Sequence, residues 1–467
     1  MARIVIMGGG PAGYEAALVA AQHGSDVTVV ERDGMGGACV LDDCVPSKTF
    51  IASAGIRVEL HRAPELGLTA DRQAVGVDLP RVNERVRSLA QAQSADVRAR
   101  VEREGIRVVR ATARFVGRPG PGAPHLVEAG TADGGTEQLP ADVVLIATGA
   151  TPRVLPDAAP DGERILTWRQ LYDLPELPEH LVVVGSGVTG AEFVSAYVEL
   201  GARVTLVSSR DRVLPGEDAD AAAVLQEVFA ERGVEILAQA RADTVRRDGD
   251  KVVVTLTDGR TVTGSHALMT VGSVPNTADL GLEAVGIGID RTGFIPVDRV
   301  SRTSTPGIYA AGDCTGVLML ASVAAMQGRI AMWHALGEGV APIKLKTVAA
   351  AVFTRPEIAT VGIGQRAIDA GEVPARTIMM PLSTNPRAKM QGLRRGFVKL
   401  FCRPATGVVI GGVVVAPVAS ELILPIAMAV QNQLTVADLA HTFSVYPSLS
   451  GSITEAGRQL MRHGDLD

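Results

Sequence analysis

The chain has 467 residues, a formal net charge of −6, 46% hydrophobic and 21% charged residues. That length implies roughly two to four domains. The acidic balance gives no reason to expect nucleic acid or an anionic membrane surface as partner, and 3% aromatic residues argues against base-stacking surfaces. No apolar run is long enough to span a bilayer. The opening MARIVIMGGG runs directly into a strand-like segment without a signal sequence and cleavage site, so the expected location is the cytoplasm. Four cysteines in so long a chain are not a secreted disulfide framework.

Arg3 to Met7 reads as a short buried strand, followed by Gly8, Gly10 and Gly13 in G-x-G-x-x-G spacing. A helical pattern from Tyr14 to Gln22 and a strand from Asp26 to Val30, ending at Glu31, come next. The glycines alone are weak evidence. With strand, helix and an acid about 20 residues on, they form a strong dinucleotide signature. Glycines let the backbone approach a pyrophosphate at a helix N-terminus, and Glu31 can bind ribose hydroxyls. The plain alternative is a βαβ unit without a ligand, against which strand, glycines and acid all weigh.

Cys39 and Cys44 follow, with Asp42 and Asp43 between them and Pro46 and Lys48 after. The pair admits a redox dithiol, a metal loop or two buried structural cysteines. A zinc site is disfavoured because Cys314 and Cys402 are isolated and the histidines scattered. Pro46 sits where a helix could start, and a helix N-terminus beside Lys48 favours a thiolate at Cys44. Lys48 lies one turn beyond Cys44 on the same face. Asp42 and Asp43 push the other way, since nearby negative charge raises a cysteine pKa.

The first unit recurs. Leu181 to Val184 is a strand, Gly185, Gly187 and Gly190 repeat the triplet, a helix starts at Ala191, and Arg203 to Val207 is the second strand. Two nucleotide sites suggest electron transfer between two cofactors. Where the first unit has Glu31, the second has Ser208, then Ser209 and Arg210. Two hydroxyls and a guanidinium would accept the 2′-phosphate that an acid repels, so the second site suits NADPH, with NADH alongside. A solvent-facing Arg210 is the alternative. Three further strands end at glycine-containing turns, at Thr148-Gly149, at Gly272 and at Gly312-Asp313.

Together these motifs resemble the flavoprotein disulfide reductase family, which includes lipoamide dehydrogenase and glutathione reductase, over nearly the whole chain. The resemblance implies an α/β fold with two Rossmann-like dinucleotide-binding domains and a C-terminal α+β dimerisation domain. It implies an FAD domain at 1–152 completed by 274–345, an NAD(P) domain at 153–273 and an interface domain at 346–467. By the same resemblance Gly8, Gly10, Gly13, Glu31 and Asp313 hold FAD, and the second glycine loop holds the nicotinamide nucleotide. Lys48 and Glu192 match the ion pair beside the flavin, Cys44 the flavin-proximal sulfur and Cys39 the sulfur that attacks substrate. Phe353-Thr354-Arg355-Pro356-Glu357 is similar to the family's Tyr-Thr-His-Pro-Glu. Family members are homodimers whose active site uses both chains.

The family protonates its leaving thiolate with a histidine and a glutamate five residues later, supplied by the partner subunit. Tyr446 and Gly451 stand at those places here. Tyrosine, with an unperturbed pKa of about 10, exchanges protons poorly at neutral pH. The tail from Glu455 to Asp467 has no cysteine, which disfavours the mercuric reductase branch. These departures imply an NAD(P)H:quinone oxidoreductase, with Tyr446 of the partner facing the acceptor or merely filling space. The rivals are lipoamide or other disulfide reduction, soluble transhydrogenase and a non-catalytic redox sensor.

Overall fold

The computed structural model describes residues 1–69, 75–117, 120 and 122–461; the last six residues of the cysteine-free tail lie outside them. The segments RIVIM (Arg3–Met7) and HLVVV (His180–Val184) form the middle strands of two five-stranded sheets. Both sheets are parallel and covered on both faces, which is why their strands read as near-continuous apolar runs. The internal repeat is visible in the pairing: Arg3 stands opposite Asp26 and His180 opposite Arg203, with register kept along each strand. In each sheet the next neighbour on the other side comes from far along the chain, Val143–Ile146 in the first and His266–Met269 in the second. These are the crossovers of two Rossmann-like units.

The first glycine loop leads into the helix Pro11–Gln22, which packs on Ala321–Ala335. Small residues allow close approach: a Cβ at Gly328 would lie 2.2 Å from the Ala12 carbonyl oxygen. The chain passes between the two sheets twice, through Ala150–Pro152 and Ser273–Pro275, and these passages pair as an antiparallel ribbon with Thr151 opposite Val274.

Beyond them, a five-stranded antiparallel sheet runs in the order Ala349–Val352, Glu357–Gly362, Val409–Ala416, Phe397–Cys402, Arg376–Pro381. The helices Ala419–Asn432 and Gly451–Leu460 pack against it. The α/β architecture with a C-terminal α+β unit is therefore as the sequence predicted.

A buried ion pair ties this last sheet to the second Rossmann unit. The Lys399 ammonium donates to both carboxylate oxygens of Asp218 at 2.9 and 2.8 Å and to Asp220 at 2.6 Å. Asp218 also caps the helix Ala219–Glu231 by accepting from the backbone N–H groups of Asp220 and Ala221. Removing one partner of a buried pair strands the other charge, a loss of about 3–5 kcal/mol. Lys399→Ala is accordingly expected to lower stability by that order, measured by denaturant unfolding. Double replacement of Lys399 and Asp218 by apolar residues should recover part of the loss.

Candidate active site

A cavity of about 860 Å³ runs along the carboxyl end of the first sheet, at the upper end of the size range of cofactor pockets. It is lined by Gly8, Gly10, Pro11, Glu31, Cys39, Asp43, Cys44, Thr148, Gly149 and Asp313, among others. Gly8 has φ +110°, and a Cβ there would lie 2.3 Å from the Ala147 carbonyl oxygen, so only glycine makes this turn. No side chain caps the helix Pro11–Gln22, whose first N–H groups are left for a ligand. The helix Val188–Leu200 after the second loop is likewise uncapped, whereas Asp78 and Asp218 cap the helices they precede. A long, glycine-walled cavity meeting an uncapped helix fits a dinucleotide such as FAD.

Glu31 has a further task. Its carboxylate accepts from the backbone N–H groups of Gly9 at 2.6 Å, Asp33 at 2.7 Å and Gly34 at 3.2 Å, binding the glycine loop to the segment that leads to the cysteines. Thr148 and Gly149 are held by Asn276, whose side chain donates to the Thr148 carbonyl while its own carbonyl accepts from the Thr148 hydroxyl. Gln327 accepts from the Gly312 N–H and so fixes the turn that presents Asp313.

Cys39 lies in the short helix Gly37–Leu41, and Cys44 opens the long helix Cys44–Arg62. In this structure they are separate thiols. Their hydrogen bond holds Cys39 below the ordinary thiol pKa and pushes Cys44 above it. Burial and Asp43 also act against a thiolate at Cys44, with Lys48 opposing them. The helix start expected at Cys44 is present, while the hydrogen bond, desolvation and the adjacent acid work against a thiolate there.

The two aspartates have different surroundings. Asp42 pairs with Arg169 at 2.9 Å, a contact that no sequence motif signals. Asp43 lines the cavity, and burial holds its carboxyl above the usual range, with Lys48 opposing and Glu192 and Asp42 adding. Asp313 is pushed up to about 6 by burial and by the charge of Asp43.

Lys48 donates to Glu192 Oε2 at 2.7 Å. Glu192 is 3% exposed, and its Oε1 accepts from the backbone N–H of Phe353 at 2.9 Å. The Phe353 ring lies under the ammonium, 4.9 Å from centroid to Nζ. Burial works against the Lys48 charge, but Glu192, Cys44 and Asp43 more than offset it, and the pKa is raised. Next along, the Arg355 N–H donates to Ser195 Oγ at 3.1 Å. Behind these contacts Phe50, Tyr172, Phe193 and Tyr197 pack with ring centroids 5.1 to 6.5 Å apart, fixing the cysteine helix against Val188–Leu200.

At the second loop Gly185, Gly187 and Gly190 repeat the first, and a Cβ at Gly190 would lie 2.0 Å from the Gly185 carbonyl oxygen. Ser208 is fully buried. Its hydroxyl bonds Ser186 Oγ at 2.7 Å and both accepts from the Arg210 N–H and donates to the Arg210 carbonyl. It therefore shapes the turn, while Ser209 and Arg210 are exposed and free to meet a phosphate. Gly272 lies at the passage between the sheets with open space on its Cβ side.

Tyr446 is 81% exposed and does not line the cavity of its own chain; Phe443 and Val445 beside it are exposed as well. Gly451 begins the helix Gly451–Leu460.

The chain matches the family model "Pyridine nucleotide-disulphide oxidoreductase" over residues 2–328 and that family's dimerisation domain over 348–457. It is 66% identical to an NAD(P)H dehydrogenase (quinone) of Mycobacterium tuberculosis, across all of this chain and 95% of that protein. A dihydrolipoyl dehydrogenase of Haloarcula marismortui is 33% identical across 97% of this chain and 95% of its own length. Among solved structures, LpdA of Mycobacterium tuberculosis superposes with a TM-score of 0.95 at 66% identity, covering 99% of this chain and all of LpdA.

The charge state of Asp313 yields a pH prediction. Its pKa rises from 3.8 in the open chain to about 6 in the folded one, so its ionisation opposes folding. The stability it offers is complete below about pH 4 and lost as pH rises through about 6. Cofactor-free Asp313→Asn should melt higher than the cofactor-free parent above pH 6, and the gap should close towards pH 4 in a thermal-shift series.

Proposed function

Because the chain belongs to the pyridine nucleotide-disulphide oxidoreductase family, whose members use FAD and NAD(P)H, we propose that this oxidoreductase passes electrons from NAD(P)H to a quinone. The observation that carries the reading is at the exchange end: an exposed tyrosine and a glycine occupy positions 446 and 451. Disulfide exchange needs a group titrating near neutrality to protonate the departing thiolate, and neither residue is one. The name of the 66% identical relative supports the same acceptor.

FAD, when bound, supplies the hydride and electron chemistry between nucleotide and acceptor. The uncapped helix Pro11–Gln22, Glu31 and Asp313 would hold it in the cavity. Lys48, fixed by Glu192 and Phe353, keeps a positive charge where the electrons arrive. Ser209 and Arg210 would favour the 2′-phosphate of NADPH. Cys39 and Cys44 also line the cavity, and the hydrogen bond with Cys39, burial and Asp43 hold Cys44 towards the thiol, which suits an acceptor reduced without a thiol step. The matched dimerisation domain supports a homodimer; exposed Phe443, Val445 and Tyr446 would then be covered by the partner, with Tyr446 facing the acceptor. Sparse cysteines support a cytoplasmic location.

An acceptor panel tests this. With NADPH or NADH, benzoquinone should be reduced rapidly and lipoamide, glutathione disulfide and a nicotinamide nucleotide analogue slowly. Rapid lipoamide reduction would sink the reading, and no turnover with any acceptor would favour a sensor. Tyr446→His with Gly451→Glu should raise lipoamide reduction by at least about tenfold.

A further inference from the structure

Reducing a quinone to a hydroquinone takes two electrons and two protons. NAD(P)H supplies both electrons and one proton as hydride, and the other proton must come from elsewhere: NAD(P)H + H⁺ + quinone gives NAD(P)⁺ + hydroquinone. We propose that Asp43 is the proton donor of this step, an inference that rests on the quinone reading above. The Asp43 carboxyl O–H breaks, an O–H forms on the acceptor oxygen that has received the electron pair, and Asp43 is left as a carboxylate beside Lys48. Water entering the cavity returns the proton.

Position beside the cysteine pair points to Asp43. Lys48 is bound to Glu192 at 2.7 Å and held over Phe353, which stabilises the ammonium and makes it a reluctant donor. Tyr446, which in the proposed function comes from the partner, offers a phenol, a weaker acid than a carboxyl. Asp313 opens the short helix Asp313–Thr315 and, in the proposed function, is committed to the cofactor. Asp43 is adjacent to Cys44 and shares the cavity wall with both cysteines.

Its geometry is that of a group withheld from the obvious structural job. Aspartate at the first position before a helix normally accepts from the helix amides. Asp43 stands there, before the 19-residue helix Cys44–Arg62, yet its ψ is −94° and its side chain makes no capping hydrogen bond. Lining the cavity without such a bond, its carboxyl is left to exchange a proton where, in the proposed function, the bound cofactor meets the acceptor. Burial, Glu192 and Asp42 keep the carboxyl protonated to higher pH than an ordinary aspartate, against Lys48. The other groups that face it are Cys39, Cys44, Arg169, Tyr172 and Asp313.

The test uses holoenzyme of the parent, Asp43→Asn and Asp43→Glu, with NADPH as donor. Benzoquinone needs the extra proton; ferricyanide, a one-electron acceptor, does not. Asp43→Asn should still bleach the flavin anaerobically with NADPH and reduce ferricyanide, while benzoquinone turnover falls by about a hundredfold or more. Its quinone rate should lose the decline seen in the parent as pH rises through the Asp43 pKa, and Asp43→Glu should restore most of the rate. An infrared carboxyl band that changes between oxidised and NADPH-reduced parent should be missing from Asp43→Asn. Parental quinone rates and pH profile in Asp43→Asn would overturn the proposal, as would equal losses with both acceptors, the mark of a structural role. A parent that reduces ferricyanide but not benzoquinone would overturn the quinone reading itself, a result visible before any variant is made.

Discussion

One carboxylate, Glu192, joins the three parts of this molecule. It projects from the helix of the second Rossmann-like unit, takes the ammonium of Lys48 from the cysteine helix of the first, and accepts a backbone N–H from Phe353, which follows the edge strand Ala349–Val352 of the C-terminal sheet. A buried charge is tolerable only when its hydrogen-bonding capacity is met, and here the two oxygens are met by two different units. The position of Lys48 is thus determined by all three. The aromatic cluster of Phe50, Tyr172, Phe193 and Tyr197 backs this joint in a chain that has few other rings to use.

Much of the fold was legible because it follows from local rules repeated twice. A strand, a glycine turn, a helix and a second strand specify a parallel βαβ unit, and the two copies keep the same register. What stayed hidden depends on contacts between units. Nothing in the sequence around Phe353 says that its N–H reaches Glu192 or that its ring lies under Lys48. Arg169 carries no motif, yet it pairs with Asp42. Ser208 reads as a phosphate ligand by its place in the repeat, but burial turns its hydroxyl inward to Ser186. Glu31 sits where the repeat put it and also clamps its own loop, a role that becomes visible only once Gly9 and Gly34 are seen to converge on it.

Local electrostatics treat the two sulfurs of this cysteine pair differently. A helix N-terminus and a lysine favour a thiolate, and both are present. Against them stand the mutual hydrogen bond, burial and Asp43, and the balance leaves charge more accessible at Cys39 than at Cys44. Two acids next to the same sulfur need not act alike: one is paired with a guanidinium and the other is left in the cavity.

The antiparallel ribbon of Ala150–Pro152 and Ser273–Pro275 has a consequence for how such a molecule diversifies. A segment whose entry and exit lie side by side can be exchanged without spanning a gap or reshaping its host. Under the proposed function coenzyme choice rests with that segment, which is therefore open to replacement as a cassette while the first cavity stays as it is, provided each newcomer brings a glutamate to the place of Glu192.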